Sequence, residues 1–262
     1  MAPEPVDPDL AVLSAAVART CQITAPGYLG AIKGLPASGL SLVGEDAAAA
    51  NMLYSLLWGE RGEQRGLETI QAAFRRLAAN PSILADLREV ADYQMDVTQC
   101  AGHKPYPLPL ELHGNYTNNE IQAAFGRDTF NEATQRGVGV LHFPEKKAYA
   151  LLITLNKSDK DFSATTLYKD YPINLTHLHW ESQSGTTQAS MAGQNLIHHA
   201  ARGYSIYLFV RLNRTNGPLT APFQFLGRGS RISFSGERPI SMVWELEYPM
   251  PAELLEAKRV GG

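Results

Sequence analysis

Residues 137–155 read GVGVLHFPEKKAYALLITL, and the fold turns on how they are read. Two runs rich in aliphatic and aromatic side chains flank Pro144-Glu145-Lys146-Lys147, a turn composition, so the stretch predicts two strands joined as a hairpin. The second run, AYALLITL, is apolar almost throughout, as a buried strand is. THLHWES (176–182), SIYLFVRL (205–212), PFQFLG (222–227) and ISMVWELEY (240–248) have the same strand character. Many strands with one or two helices, and no strict strand–helix alternation, predict a strongly bent sheet or partly open barrel rather than a doubly wound fold.

Upstream the period changes. LAVLSAAVARTC (10–21), DAAAANMLYSLLWG (46–59), GLETIQAAFRRLAAN (66–80) and PSILADLREVADYQMDV (81–97) repeat apolar residues at three- and four-residue spacing, which predicts amphipathic helices. Asn80 before Pro81 reads as the cap and first residue of the last of these. GYLGAIKGLPASGLSLVGED (27–46) is rich in Gly and Pro and is expected to be a long loop. The prolines of CAGHKPYPLPLEL (100–112) predict an extended linker. In YTNNEIQAAFG (116–126), Thr117 and Glu120 form a capping-box pattern and Gly126 stands where a left-handed residue would end the helix. The expected organisation is therefore α+β: a helical part, 1–105, packed on a β-rich domain, 112–262.

At 44% hydrophobic and 19% charged residues, the 262-residue chain has a globular composition, which argues against disorder beyond its ends. Cys21 and Cys100 stand far apart without a second pair, so neither a disulfide framework nor a zinc site is expected. MAPEPVDPDL lacks the basic start and apolar run of a signal peptide, and a cytoplasmic location without a membrane segment is expected. Residues 1–100 hold seven Lys/Arg against twelve Asp/Glu, net −5; residues 101–262 hold sixteen against fourteen, net +2. That second half is mildly basic, a weak signal for a phosphate backbone.

The chain contains no P-loop, dinucleotide-binding turn, nucleophile elbow or HExxH zinc helix, so the common cofactor-driven enzymes lose weight, and no catalytic residue, cofactor or metal is expected. His177 and His179 share one face of a strand, a spacing that suits a metal, but no cysteine or second histidine pair completes a ligand set.

NMLYSLLWG, GNYTNNEIQAAFG, LLITLNKSDKDFSATTLYKDYPI, HLHWESQS, SIYLFVR, PFQFLG and RPISMVWELEYPMP together resemble the C-terminal domain of SauUSI-type modification-dependent restriction enzymes, where it follows a phospholipase-D-like nuclease and a DEAD-box helicase. The resemblance covers residues 115–250 in order, with a fainter match at Met52–Gly59. It implies a recognition module for modified cytosine (5-methyl or 5-hydroxymethyl) in double-stranded DNA, similar in role to SRA domains, with a PUA-like β-barrel and a place in restriction or phage defence. The nuclease and helicase motifs are absent from this sequence, so the implied role is binding without cutting, alone or beside separate nuclease and helicase subunits.

That role gives a meaning to residues 156–184, which collect Lys, Asp, Tyr, His and Trp after the apolar AYALLITL. A reader of modified cytosine extrudes the base, stacks it between aromatic faces and bonds its Watson–Crick edge. Tyr168, Tyr171 and Trp180 are candidate faces; Asp161 or Asp170 a candidate acceptor for the exocyclic amine; Ser163, Thr165 and Thr166 a candidate wall for the 5-substituent. Gln183 has an amide able to read the base edge or fill the gap it leaves. Lys157, Lys160, Lys169, Arg202, Arg211 and Arg228 are candidate phosphate contacts. Two bland alternatives stand beside these: Tyr171 and Trp180 as core aromatics with the aspartates capping turns, and the cations as solvated surface. A nuclease or nucleotide-processing enzyme using the Asp/His/Lys content of 156–184 is the alternative function, and a protein-interaction module a third.

Overall fold

The computed structural model describes residues 9–156 and 170–259. Its contacts divide the chain into two compact units, Met1–Arg136 and Gly137–Gly262.

The first unit is helical: α1 (Leu10–Thr20), α2 (Pro26–Lys33), α3 (Ala37–Glu45), α4 (Ala47–Trp58), a 3-10 turn (Glu63–Arg65), α5 (Ile70–Leu77), α6 (Pro81–Val97), a two-residue strand β1 (Asn115–Tyr116) and α7 (Asn118–Ala124). α4 is the central helix. Its residues Met52 to Trp58 are all buried, and α1, α3, α5 and α7 pack around it while α2 packs on α6. Asp46 caps its start by accepting from the Ala49 N–H at 3.0 Å, and Gly59 at φ 70° ends it in the left-handed conformation.

The region expected to be a loop is two helices, α2 and α3. Its glycines lower helix propensity, but Leu29, Ile32 and Leu35 are at most 1% exposed, and tertiary burial outweighs the local preference. α2 also lacks a cap of its own. Glu111, 84 residues away and 1% exposed, accepts from the Gly27 and Tyr28 N–H groups, both at 3.0 Å. At α7 the capping box is present in full, with Glu120 accepting from the Thr117 N–H at 2.6 Å and the Thr117 hydroxyl from the Glu120 N–H. Glu120 is buried and also takes the Tyr28 hydroxyl at 2.8 Å; loss of hydration raises its pKa.

The second unit holds β2 (Val140–Phe143), β3 (Ala148–Thr154), β4 (Tyr171–Pro172), β5 (His177–Glu181), α8 (Met191–Ile197), β6 (Ser205–Arg211), β7 (Thr215–Asn216), β8 (Leu219–Thr220), β9 (Phe223–Ser235), β10 (Ser241–Leu246) and α9 (Ala252–Arg259). The main sheet runs β2-β3-β6-β9-β10-β5-β4, and β7 pairs with β8 separately. Among these ladders β3 and β6 are parallel and the rest antiparallel. The PEKK turn closes the β2–β3 hairpin as expected, with Lys147 at φ 44°. β3 is buried on both faces, which explains its unbroken apolar run.

β9 is longer than PFQFLG suggested because it serves two partners. Gln224–Gly229 pair with β6, and Gly229–Ser235 with β10. At Gly229 a Cβ would lie 2.6 Å from Leu208 Cδ1, so a larger residue there would require the Leu208 side chain to move. One face of the sheet, with Leu151, Ile153, Leu178, Ile206, Leu208, Met242 and Trp244, forms a core completed by Leu196 and Ile197 of α8 and Leu254 of α9.

The α+β class read from the sequence is the class of the structure. The contact boundary at Arg136/Gly137 lies beyond the expected 105–112, because the proline-rich segment and α7 pack with the helices: Glu111 caps α2 and α7 packs on α4.

Candidate nucleic-acid interface

Alternation along β5 sorts its side chains. Leu178 and Trp180 enter the core, while His177, His179 and Glu181 point to the opposite face. Register carries that face onto the neighbours: Val243 of β10 lies opposite His179, Ser241 opposite Glu181, and Tyr171 of β4 opposite His179. The imidazole of His179 is held from two sides. Its Nε2 lies 2.7 Å from Ser241 Oγ, and its ring stacks on Tyr171 with centroids 4.5 Å apart and planes 12° from parallel. Asp170, 9% exposed, accepts the Glu181 N–H at 2.9 Å and so fixes the point where the chain enters β4. The outcome is a stacked tyrosine–imidazole pair with the Ser241 hydroxyl bonded to the imidazole.

His177 shares the face but belongs to a turn. Its Nδ1 lies 3.0 Å from both Thr176 Oγ1 and Asn174 Oδ1, and Asn174 also accepts the Thr176 N–H. Among the described residues no group of three His, Cys, Asp or Glu side chains is placed to hold a metal ion.

Of the expected base-binding residues, Tyr171 stacks on His179, and Asp170, its neighbour in sequence, is buried with its carboxylate on the Glu181 N–H. Trp180 is placed elsewhere: it is 4% exposed and packs 6.5 Å from Trp244 in the core, because it falls on the other side of the strand from His179. Gln183 is exposed just past β5, its carbonyl accepting the Thr186 N–H at 2.8 Å. Asp161, Ser163, Thr165, Thr166 and Tyr168, with Lys157, Lys160 and Lys169, lie outside the described residues.

The remaining phosphate candidates divide. Arg211 is committed to the fold, donating to Thr154 Oγ1 at 3.0 Å and the Ala221 carbonyl at 2.9 Å with its guanidinium over Phe223. Arg228 is paired with Glu247 at 3.0 Å. Arg202 is exposed in the turn between α8 and β6, where Gly203 approaches Lys147 of the PEKK turn. Sequence reasoning missed Lys147 and Ser241 as members of these groupings. Ser241 lies directly opposite Glu181 across the β5–β10 ladder, and only a strand pairing known beforehand would have drawn attention to it.

Residues 110–257 match the family described as "Domain of unknown function (DUF3427)", more than half of the chain, and the protein belongs to that family. No curated protein sequence matches it. Among solved structures it is similar to SUVH6 of Arabidopsis thaliana, crystallised in complex with SAM, at 8% identity and a TM-score of 0.38. That match covers 95% of this chain, which spans 43% of the SUVH6 chain.

Proposed function

We propose that this chain reads modified cytosine in double-stranded DNA by extruding the base, and that it binds without cutting. The observation that carries the reading is the Tyr171–His179 stack on the polar face of β4 and β5, with the Ser241 hydroxyl on the imidazole. A fixed aromatic pair offers an outer ring face to an unstacked base, and Asp161 or Asp170 is the proposed acceptor for the exocyclic amine of cytosine. Ser163, Thr165 and Thr166, which precede Asp170 in sequence, are the proposed wall of the 5-substituent, and Tyr168 a further proposed stacking face. Lys147 and Arg202 are the proposed phosphate contacts. The resemblance to the recognition domain of SauUSI-type restriction enzymes supports the same reading, and separate nuclease or helicase subunits are the partners it implies.

The 2.7 Å contact between Ser241 and His179 also favours a second reading, since a hydroxyl held by an imidazole is how a nucleophile is activated in nucleotide-processing enzymes. One experiment separates the two. Matched duplexes carrying cytosine, 5-methylcytosine or 5-hydroxymethylcytosine are tested for binding and for strand breaks. The reader binds a modified duplex selectively and leaves it intact. Tyr171→Ala then costs about 1–3 kcal/mol on modified DNA, whereas Arg202→Ala weakens all three duplexes alike. Equal affinity for the three duplexes refutes the reader; strand breaks abolished by Ser241→Ala establish the enzyme.

A further inference from the structure

The helical unit contains a half-open polar cavity of about 220 Å³, where the chain leaving α4 meets residues 129–136. It has room for about seven waters at roughly 30 Å³ each, enough for a phosphate group and part of what carries it. Its walls include Tyr54, Arg61, Gln64, Asn119, Thr129 and Arg136.

The charges of the wall are unequally satisfied. Two carboxylates line it, Glu60 and Glu132, and each is held by an arginine that is not part of the lining: Arg65 lies 3.2 Å from Glu60, and Arg127 3.5 Å from Glu132. The two lining guanidiniums have no such compensation. Among the described acidic residues Arg61 reaches only Glu63, at 3.9 Å, and the Glu63 side chain is 85% exposed, so water screens the pair. Arg136 has no acidic partner among the described residues. Deeper in, Ser55 donates to Thr129 Oγ1 at 2.9 Å and Thr129 in turn to Asn51 Oδ1 at 3.1 Å, and Asn119 at the rim donates to the Gly59 carbonyl at 3.3 Å, so the polar wall is held in place by the fold and keeps lone pairs towards the cavity.

We infer that this cavity binds a phosphate group, carried by a free nucleotide or by the end of a nucleic-acid strand. Two planar guanidiniums with matched donors are the side chains that grip phosphate oxygens in pairs, and surrounding amides and hydroxyls suit the adjoining sugar. Its lining residues belong to the helical unit, whereas Tyr171 and His179 belong to the other.

The test is calorimetric titration of the intact chain with inorganic phosphate, adenosine 5′-monophosphate, and short single strands carrying either a 5′-phosphate or a 5′-hydroxyl. Saturable binding of inorganic phosphate is expected. Arg61→Gln and Arg136→Gln should each lower that affinity about tenfold, the loss of one charge-assisted contact. Arg75→Gln, exposed on α5 outside the cavity, should leave it unchanged. A preference for the phosphorylated strand over its hydroxyl twin assigns the strand end; tighter binding of the mononucleotide than of either strand assigns the nucleotide. Both side chains at issue reach solvent, and circular dichroism confirms that the variants fold. Absence of saturable phosphate binding, or full affinity in both arginine variants, overturns the inference.

Discussion

Replacing Glu111 by Gln isolates how the helical unit is tied together. The carboxylate gives one oxygen to each of two otherwise uncapped N–H groups at the start of α2, Gly27 and Tyr28, both at 3.0 Å, in a site where Glu111 is 1% exposed. Hydrogen bonds to a charged group contribute about 1.5–3 kcal/mol each, and an anion at a helix N-terminus adds roughly 0.3–1 kcal/mol. Glutamine keeps one acceptor, but its NH₂ then faces a backbone donor, so one bond and the charge are lost together. The expected destabilisation is about 2–4 kcal/mol. Urea unfolding followed by circular dichroism gives the total, and native-state hydrogen exchange at the Gly27 and Tyr28 amides localises it, because those two should lose protection before α4 does. Thr69→Ala, removing the ordinary cap of α5 that accepts the Ala72 N–H at 3.0 Å, is the comparison and should cost about 1 kcal/mol. If Glu111→Gln costs less than about 0.5 kcal/mol, the within-error range for an unremarkable surface change, the carboxylate does not hold α2 and the reasoning fails.

Three further outcomes follow from the second unit. His199 gives its Nδ1–H to the Tyr204 carbonyl at 3.3 Å and accepts the Arg231 N–H at Nε2 at 3.2 Å, so only the neutral ring fits; burial, first, and nearby Arg231 lower its pKa from 6.5. Its contribution to stability is therefore present above pH 6.5 and lost as pH falls through the lowered folded value, and His199→Gln should flatten the pH dependence of urea midpoints over that acid window. Gly193→Ala drives a Cβ against the Thr187 carbonyl oxygen, a backbone atom that cannot swing away, and should destabilise the unit by about 1–3 kcal/mol in chemical denaturation. Trp180→Ala should cost about 3–5 kcal/mol of stability, whereas the half-buried Tyr171→Ala should leave near-UV circular dichroism from the core intact, so the two variants distinguish a core aromatic from a platform aromatic.

The two periodicities were legible because they depend on burial alone: three- and four-residue spacing gave α1, α4, α5 and α6, and the apolar AYALLITL gave β3. Local chemistry was legible too, as at Thr117 and Glu120, whose partners are three residues apart. What escaped depends on distant chain. α2 and α3 look like loop because their glycines are visible locally and the Glu111 cap is not. Ser190-Met191-Ala192-Gly193 starts α8, where the Ser190 hydroxyl accepts the Gly193 N–H at 3.1 Å, but the segment is too short for a helical period to emerge. At the candidate site, alternation along HLHWE places Trp180 and His179 on opposite sides, and only the core's position says which side faces outward. The stacking of Tyr171 on His179 needed the β4–β5 register, which no spacing along the chain encodes.

β9 gives the second unit an unusual mechanical layout. Strands β2, β3 and β6 lie on one side of it and β10, β5 and β4 on the other, and in the main sheet's path it is the strand common to both. The hand-over between its partners takes place at Gly229, where one residue sits in both ladders. The unit therefore resembles two panels sharing a single spine, and tension applied across the panels is carried by β9 in shear along both of its edges. The platform of Tyr171 and His179 rides on the far panel and Lys147 with Arg202 on the near one. Anything that held both places at once would load that spine directly.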